Sequence, residues 1–281
     1  MAAATTEANP KANTKANTKA NTKARKVPAI IDRPMSFCPG CGHGIIIRLI
    51  AECLEELGQD QNVIFGICVG CSSLLRGGLG TDRLHCSHGR AGAVCTAMKR
   101  VNPDNIVIAY QGDGDAYSIG IGETTSAAYR NERFTTFIVN NSNYGMTGGQ
   151  MSNTTMPGQK TTTSPNGRDC STTGLPLRFP ELVAAQFGAA YVARGSVSTP
   201  ANINKTRTYI KKALEAQLSG EGYSVVEILS SCPTNWGMTA PDAMKHLDQV
   251  VTPHFPLGEF KTQAVASKAI EAEVVDTREV K

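Results

Sequence analysis

The chain has 281 residues, 41 per cent hydrophobic and 19 per cent charged, so it has the apolar content of a globular protein and is not a disordered chain. Its formal net charge is +4, but residues 1–26 alone sum to +5, with six Lys and Arg against one Glu, which leaves −1 for the rest of the chain. That near-neutral remainder has no basic run of the kind that indicates nucleic-acid binding.

Neither export nor a membrane span is predicted. The N-terminus lacks the apolar core of a signal peptide, and no stretch reaches the roughly 18 apolar residues of a transmembrane helix. We therefore expect a cytoplasmic protein.

The first 26 residues differ in composition from everything that follows. Residues 11–22 repeat Lys-Ala-Asn-Thr three times, and a repeat without large apolar side chains cannot bury enough surface to offset the entropy of ordering. We expect a disordered, solvated leader; the alternative is a targeting peptide, although the repeat lacks the amphipathic pattern of such peptides. One folded domain is predicted over residues 27–260, with a C-terminal extension over residues 261–281.

Helical and strand patterns then alternate along the chain. An apolar stripe predicts a helix from His43 to Leu57, which ends at Gly58. Near-continuous apolar strands separated by helices are typical of a parallel sheet that is covered on both faces. The fold class is therefore predicted as α/β, a doubly wound parallel sheet. The remaining predicted elements are strands at 62–67, 105–110, 134–139 and 223–229, and helices at 91–100, 119–131, 180–187 and 203–218.

A polar motif follows each predicted strand. Ligands of open α/β sheets bind beyond the carboxyl ends of the strands, so these motifs are expected to meet at one edge of the sheet. They are Cys68-Val-Gly-Cys-Ser-Ser73, Gln111-Gly-Asp-Gly-Asp115, Asn140-Asn-Ser-Asn-Tyr-Gly-Met-Thr-Gly-Gly149 and Ser230-Ser-Cys-Pro233.

The second and third motifs together indicate a diphosphate bound through a divalent cation. Glycines at 112 and 114 let the backbone approach a ligand closely, and the following helix start offers free N–H groups to a phosphate. Asp113 would repel a phosphate unless a cation lay between them. Mg²⁺ is held in this way by one or two protein oxygens together with phosphates. Asn141 and the backbone carbonyl of Asn143 can supply further oxygens.

The nine cysteines indicate a metal or redox role rather than a disulfide framework, and with it a reducing compartment. Cys38 and Cys41 form one Cys-x-x-Cys pair, and Cys68 and Cys71 form another. These four could make a zinc ribbon. However, the 26 residues between the pairs contain a predicted helix and strand, which an isolated ribbon would not need.

Asp113 and Asn141 stand 28 positions apart, and Gly-Asp-Gly followed by Asn-Asn at this spacing resembles the thiamine diphosphate motif. Further motifs make the resemblance specific to one family of thiamine diphosphate enzymes. Residues 36 to about 260 resemble the β subunit of the 2-oxoacid:ferredoxin oxidoreductases, on Cys38-Pro-Gly-Cys-Gly-His43, Gly70-Cys-Ser-Ser73, His88-Gly-Arg-Ala91, Gly112-Asp-Gly-Asp115, Tyr144-Gly-Met-Thr-Gly-Gly-Gln150 and Cys232-Pro-Thr234.

The resemblance implies a set of site residues on the thiamine diphosphate-binding fold. Mg²⁺ would be held by Asp113, Asn141 and the carbonyl of Asn143, which departs from the apolar residue often found there. Ser72 and His88 would contact the cofactor and are the catalytic candidates. The residues around the diphosphate would be Gly112, Gly114, Asp115, Gly145, Met146 and Thr147. In place of zinc, a [4Fe-4S] cluster would be bound by Cys38, Cys41, Cys71 and Cys232.

The implied activity is oxidative decarboxylation of a 2-oxoacid, 2-oxoglutarate or 2-oxoisovalerate, to CO₂ and an acyl-coenzyme A. Electrons would pass through the cluster to ferredoxin. The implied partners are an α subunit with the pyrimidine-binding domain and small γ and δ subunits. Two alternatives stay open: a non-oxidative thiamine-dependent decarboxylase subunit, which gives no reason for the cysteines, and a zinc-bearing interaction module.

Four further residues receive interpretations, those of Cys68 and Trp236 from the cluster that the resemblance implies. Cys68 is expected to be buried or a neighbour of the cluster. His43 is expected to cap the following helix, and Trp236 to shield the cluster. Arg168 is either a loop anchor or a substrate-positioning residue.

Overall fold

The computed structural model describes residues 26–261. The predicted tail up to residue 25 and the C-terminal extension from residue 262 onward lie outside the described residues. The domain limits predicted at 27 and 260 therefore stay a prediction.

A twisted sheet of seven strands forms the centre of the described part of the chain. Its strands are β1 (Val63–Ile67), β2 (Asp82–His85), β3 (Ile106–Gly112), β4 (Thr135–Asn140), β5 (Tyr191–Ser196), β6 (Ser224–Leu229) and β7 (Gly258–Lys261). They lie in the order β2-β1-β3-β4-β6-β5-β7, and all neighbours are parallel except β7, which pairs antiparallel with β5. The predicted parallel sheet is confirmed, and the four predicted strands are four adjacent strands at its centre.

Helices cover both faces of this sheet. They are α1 (His43–Glu56), α2 (Ala91–Val101), α3 (Ile121–Tyr129), α4 (Cys170–Thr173), α5 (Phe179–Gln186), α6 (Pro200–Leu218), α7 (Pro233–Trp236), α8 (Ala240–His246) and α9 (Thr252–His254). A 3₁₀ helix covers Cys71–Gly77, and π-helical segments cover Asp115–Ile119 and Leu247–Val251.

The core has two halves because successive strand residues point to opposite faces. Ile108 and Tyr110 of β3 pack with α1 and α6, whereas Val107 and Ala109 pack with α2, α3 and α5. The doubly wound α/β architecture is therefore confirmed.

Three strands were missed by the sequence analysis, each for a physical reason. All four residues of β2 are exposed at the sheet edge, so they show no apolar run. The apolar pattern of β5 is broken by Arg194 and Gly195, although every residue of this strand is buried. In β7, the antiparallel edge strand, only partly buried or exposed residues occur.

Helix α6 begins at residue 200 rather than at the predicted residue 203. The Thr199 side chain accepts a hydrogen bond from the Asn202 N–H at 3.2 Å, and Pro200 occupies the first helical position, where no N–H is required. Within residues 26–261, no helix combines the length and the apolar character that a membrane crossing requires.

Candidate functional site

A cleft opens at the carboxyl ends of β1, β3 and β4, the position at which open α/β sheets bind their ligands. Every residue predicted to bind the thiamine cofactor lines it: Ser72, His88, Gly112, Asp113, Gly114, Asp115, Asn141, Asn143, Gly145, Met146 and Thr147. The lining also includes His43, Val69, Gly70 and Tyr144, which the motif analysis did not assign to the cofactor. The parallel sheet thus brings separate motifs to one cleft, as expected.

Asp113 follows β3 directly and is almost fully buried. Burial raises the pKa of Asp113 to about 6, against lowering hydrogen bonds from Thr154 and Ser152. Both hydroxyls donate to Oδ2, Ser152 at 2.7 Å. Because burial removes the Asp113 carboxylate from water, its negative charge is costly unless a cation lies beside it.

The side chain of Asn141 lies between this carboxylate and the Asn143 carbonyl. One side-chain amide atom of Asn141 lies 2.7 Å from the Asn143 carbonyl oxygen and 3.3 Å from Asp113 Oδ1. If this atom is nitrogen, it donates to both oxygens; if it is oxygen, it accepts the Asn143 backbone N–H at 3.3 Å but faces two other oxygens.

The oxygen orientation fits a divalent cation. In octahedral Mg²⁺ coordination at about 2.1 Å, neighbouring oxygens lie about 2.9 Å apart. The separations of 2.7 and 3.3 Å bracket that value. With the Asn141 amide oxygen at this position, Asp113, Asn141 and the Asn143 carbonyl form a suitable donor set for Mg²⁺, and the two separations from the Asn141 atom match its coordination.

A tight turn after β4 presents these groups. Ser142 has a φ of 61°, in the left-handed region that few non-glycine residues adopt, and its N–H donates to Asn140 Oδ1 at 3.0 Å. Backbone strain of this kind is often found at functional sites. The turn places Asn141 and Asn143 directly after β4, at the carboxyl end of the sheet.

Glycines keep the wall of the cleft open. A Cβ added at Gly70 or at Gly112 would meet no protein atom within 4 Å, and both residues line the cleft. Gly114 instead lies under Tyr144, whose hydroxyl donates to the Gly114 carbonyl at 3.0 Å. The residues therefore fit a ligand that approaches the backbone closely, as a diphosphate does.

The imidazole ring of His88 is held in place by Asp115. The Asp115 carboxylate contacts Nδ1 of His88, accepts the Gly89 N–H at 2.7 Å and accepts the Gln111 amide at 2.6 Å. With Asp115 as the acceptor, Nδ1 of His88 carries a proton, and Nε2 lies on the opposite side of the ring from this contact. The direct role of Asp115 at the diphosphate stays a prediction.

Ser72 is buried at the floor of the cleft. Its hydroxyl donates to the Cys68 carbonyl at 2.9 Å, so its proton is engaged while its oxygen can still accept a hydrogen bond. Its predicted catalytic role therefore rests on its position in the cleft.

Four cysteines gather beside the cleft. Burial, followed by the thiols of Cys41, Cys232 and Cys38, raises the pKa of Cys71 to about 12. The pKa of Cys41 is raised to about 11, chiefly by burial and also by Cys232 and Cys38. These four thiols are therefore close enough to influence one another, and a metal cluster would bind them as thiolates.

The arrangement does not match a site for a single ion. Within residues 26–261, no three Cys, His, Asp or Glu side chains are placed to hold one metal ion. A four-iron cluster is larger, and each of its thiolates binds a different iron. The zinc ribbon would also need Cys68, whose thiol points to the Ser87 carbonyl at 3.6 Å and pairs with the buried Cys86 thiol.

The interpretation of His43 as a helix cap is wrong. Its ring is buried, contacts the Tyr110 hydroxyl at 2.7 Å through Nδ1 and stacks on Phe37. No side chain caps α1. Burial lowers the pKa of His43 to about 4, so a neutral ring lines the cleft. The sequence feature that could have indicated a place in the cleft is the position of His43 directly after Cys41 and Gly42.

The structure also shows the contacts of Trp236 and Arg168. The Trp236 ring packs edge-on against His246, and its indole nitrogen is buried without a partner among the described residues. The anchoring interpretation of Arg168 is confirmed, because its guanidinium donates to the carbonyls of Ser152, Asn153, Thr155, Thr173 and Gly174. It thereby holds the loop whose hydroxyls bind Asp113.

Comparisons with known proteins agree with this cleft. The family described as thiamine pyrophosphate enzyme, C-terminal TPP binding domain, matches residues 69–228. The ketoisovalerate oxidoreductase subunit VorA of Methanothermobacter thermautotrophicus is 41% identical over 83% of this chain and 49% of its own length. The 2-oxoglutarate synthase subunit KorB of Methanocaldococcus jannaschii is 38% identical over 73% of this chain and 72% of its own length.

A solved structure supports the same relationship. The 2-oxoglutarate:ferredoxin oxidoreductase from Magnetococcus marinus, with 2-oxoglutarate, coenzyme A and succinyl-CoA bound, matches with a TM-score of 0.70 and 25% identity. The match covers 91% of this chain and 94% of that one. By contrast, this chain spans about half the length of the VorA relatives. The chain belongs to the family of thiamine diphosphate-binding subunits of the 2-oxoacid:ferredoxin oxidoreductases.

Proposed function

We propose that this chain is the subunit of a cytoplasmic 2-oxoacid:ferredoxin oxidoreductase that holds Mg²⁺, thiamine diphosphate and a [4Fe-4S] cluster. The proposed reaction converts a 2-oxoacid and coenzyme A into an acyl-coenzyme A and CO₂, with two electrons passed on to ferredoxin. The main observation in support of this proposal is that Cys71 lines the cofactor cleft and also belongs to the group of four thiols.

The ligands proposed for Mg²⁺ are Asp113, Asn141 and the Asn143 carbonyl, supported by the spacing of their oxygens. The open backbone at Gly70 and Gly112 supports a diphosphate in the cleft. When bound, thiamine diphosphate supplies a nucleophilic carbon for the 2-oxo group and an electron sink for the loss of CO₂.

His88 is the proposed proton-exchanging residue of the chain. Asp115 fixes its Nδ1 side, and 29% of the His88 side chain stays accessible at the cleft. Its Nε2 is therefore free to accept or return a proton on a bound molecule.

The four thiols of Cys38, Cys41, Cys71 and Cys232 are the proposed cluster ligands. A cluster next to the cofactor cleft would accept electrons over a short distance from the bound cofactor. Electron transfer of this kind is required for oxidative decarboxylation and is not required for simple decarboxylation. This is why we prefer the oxidoreductase to a non-oxidative decarboxylase subunit.

Partner subunits complete the proposal. We propose an α subunit that carries the pyrimidine-binding domain, small γ and δ subunits, and ferredoxin as the acceptor. For the substrate we propose 2-oxoisovalerate or 2-oxoglutarate, the oxoacids in the names of the relatives VorA and KorB. Turnover by this chain alone would refute the proposal that an α subunit is needed to complete the active site.

The decisive experiment is cofactor analysis of the complex purified without oxygen. We expect about four iron and four sulfide with one thiamine diphosphate per chain. Thiamine diphosphate without iron would indicate the non-oxidative decarboxylase, and zinc without thiamine would indicate the interaction module. Assays with a panel of 2-oxoacids, coenzyme A and a viologen dye then identify the substrate.

Two pairs of variants test the ligands separately. Asp113→Asn should abolish Mg²⁺-dependent binding of thiamine diphosphate, whereas Asp104→Asn, the same change on an exposed loop, should not. Cys232→Ala should lose iron, whereas Cys170→Ala, at the start of α4, should keep it. Equal behaviour within either pair would overturn that ligand assignment.

A further inference from the structure

The side chain of Asn143 has no role in the proposed Mg²⁺ site, which uses only its backbone carbonyl. Nothing at that site therefore requires an amide at this position. Its amide nevertheless makes specific contacts: Nδ2 donates to the Asn141 carbonyl at 2.9 Å, and Oδ1 accepts a hydrogen bond from Asn235 Nδ2 at 3.3 Å.

Asn235 lies in α7, three residues after Cys232. Its Nδ2 group also donates to the Gly145 carbonyl at 2.8 Å and to the Cys232 sulfur at 3.4 Å. A single amide group thus contacts the loop after β4 and a proposed cluster ligand on the segment after β6.

The Cys232 sulfur accepts a hydrogen bond from the Asn235 side chain at 3.4 Å. Burial raises the pKa of the Cys232 thiol, against lowering contributions from the backbone and side chain of Asn235 and from the Asn143 side chain. An N–H donor directs the positive end of a dipole at the sulfur. When an iron–sulfur cluster takes up an electron, part of the added charge resides on its sulfurs, so N–H donors stabilise the reduced form and raise the reduction potential.

We propose that Asn143 and Asn235 form a hydrogen-bonded bridge that raises the reduction potential of the cluster at Cys232 and couples this potential to occupancy of the thiamine diphosphate site. The inference rests on the proposed function, because it requires both the cluster and the cofactor. Asn235 acts as a positioning residue, since it touches a cluster ligand and a carbonyl of the cofactor loop.

The structure allows the bridge to be removed without loss of the fold. Asn235 is only partly buried, and α7 is held by backbone hydrogen bonds such as Trp236 N–H to the Cys232 carbonyl at 2.9 Å. Asn235→Leu keeps a side chain of similar shape and removes its donors. Thr234→Ala is the matched control, because Thr234 is an exposed neighbour on the same helix.

The test is a redox titration of the whole complex, monitored by electron paramagnetic resonance, with iron and sulfide measured in the same samples. We expect a more negative midpoint potential in Asn235→Leu and an unchanged one in Thr234→Ala. The signal comes only from assembled clusters, so the comparison holds even if the iron content falls. Equal potentials in wild type and Asn235→Leu would overturn the inference and leave the proposed function intact.

The coupling is tested by repeating the titration after removal of Mg²⁺ and thiamine diphosphate with a chelator. We expect the potential of the wild type to differ between the loaded and the depleted complex, and this difference to shrink in Asn235→Leu. An equal difference in both would overturn the coupling. A wild-type complex without iron and sulfide would instead refute the proposed function itself, and the bridge with it.

Discussion

Arg194 is the largest fully buried side chain, and replacing it should destabilise the protein strongly. Its guanidinium pairs with Glu227 on the neighbouring strand β6, with both side chains at 0% exposure, and forms a two-bond fork with Glu181 at 2.6 and 2.7 Å. Arg194→Met would leave the Glu227 carboxylate buried without its cation. Removing one partner of a buried ion pair costs about 3–5 kcal/mol.

The expected loss can be converted into a melting temperature. For a domain of this size, each 1 kcal/mol lowers the midpoint by about 2–4 °C, so Arg194→Met should melt roughly 6–20 °C below the wild type. Thermal unfolding followed by circular dichroism measures the shift. Lys245→Met is the control, because Lys245 pairs with Asp242 only at 3.8 Å on the surface and its loss should change little.

A double variant separates the buried charge from lost packing. Because a buried ion pair can be replaced by apolar residues at little cost, Arg194→Met combined with Glu227→Leu should be more stable than Arg194→Met alone. Glu227 also accepts the Asn140 amide at 3.1 Å, so the double variant, which lacks this acceptor, should in addition weaken binding of thiamine diphosphate at the adjoining turn. A melting temperature for Arg194→Met equal to that of the surface control would refute the reasoning.

Three further predictions test the cleft, the cysteines and the buried histidine. Gly112→Ala places a methyl group in open cleft space and should weaken binding of thiamine diphosphate about tenfold or more, as measured by calorimetry. Gly122→Ala, which adds a methyl group in open space outside the cleft, should leave this affinity unchanged, and similar affinities of the two variants would contradict the prediction. Cys68→Ala should keep its iron and Cys71→Ala should lose it, by colorimetric iron analysis; iron loss from the former would make Cys68 a ligand. Between pH 7.5 and 5.5 the wild type should lose about 1 kcal/mol more stability than His43→Gln in denaturant titrations. The pKa of His43 is about 4 in the fold and about 6.5 unfolded, so the unfolded chain takes up the proton first as pH falls; equal losses would count against this.

The central strands and the cleft could be predicted because their signals are local in sequence. Each central strand is a short apolar run, and each ends in a polar motif whose residue types indicate its chemistry, as at Asp113 and Asn141. The strand β5 could not be predicted in the same way. Arg194 interrupts its apolar pattern, and the burial of that charge is explained by Glu227 and Glu181, which lie 33 and 13 residues away in sequence.

The contacts that support the site depend on strand order, which the apolar patterns do not contain. Strand β6 enters the sheet between β4 and β5, with Asn140 opposite Leu229. The segments after these two strands therefore leave the sheet side by side. As a result, Asn143 meets Asn235, 92 residues later in the chain. No motif spacing links Asn143 to Asn235, so the bridge to the Cys232 sulfur follows from the topology. A change that altered the pairing of β4 with β6 would therefore separate the two proposed cofactors even with every ligand residue unchanged.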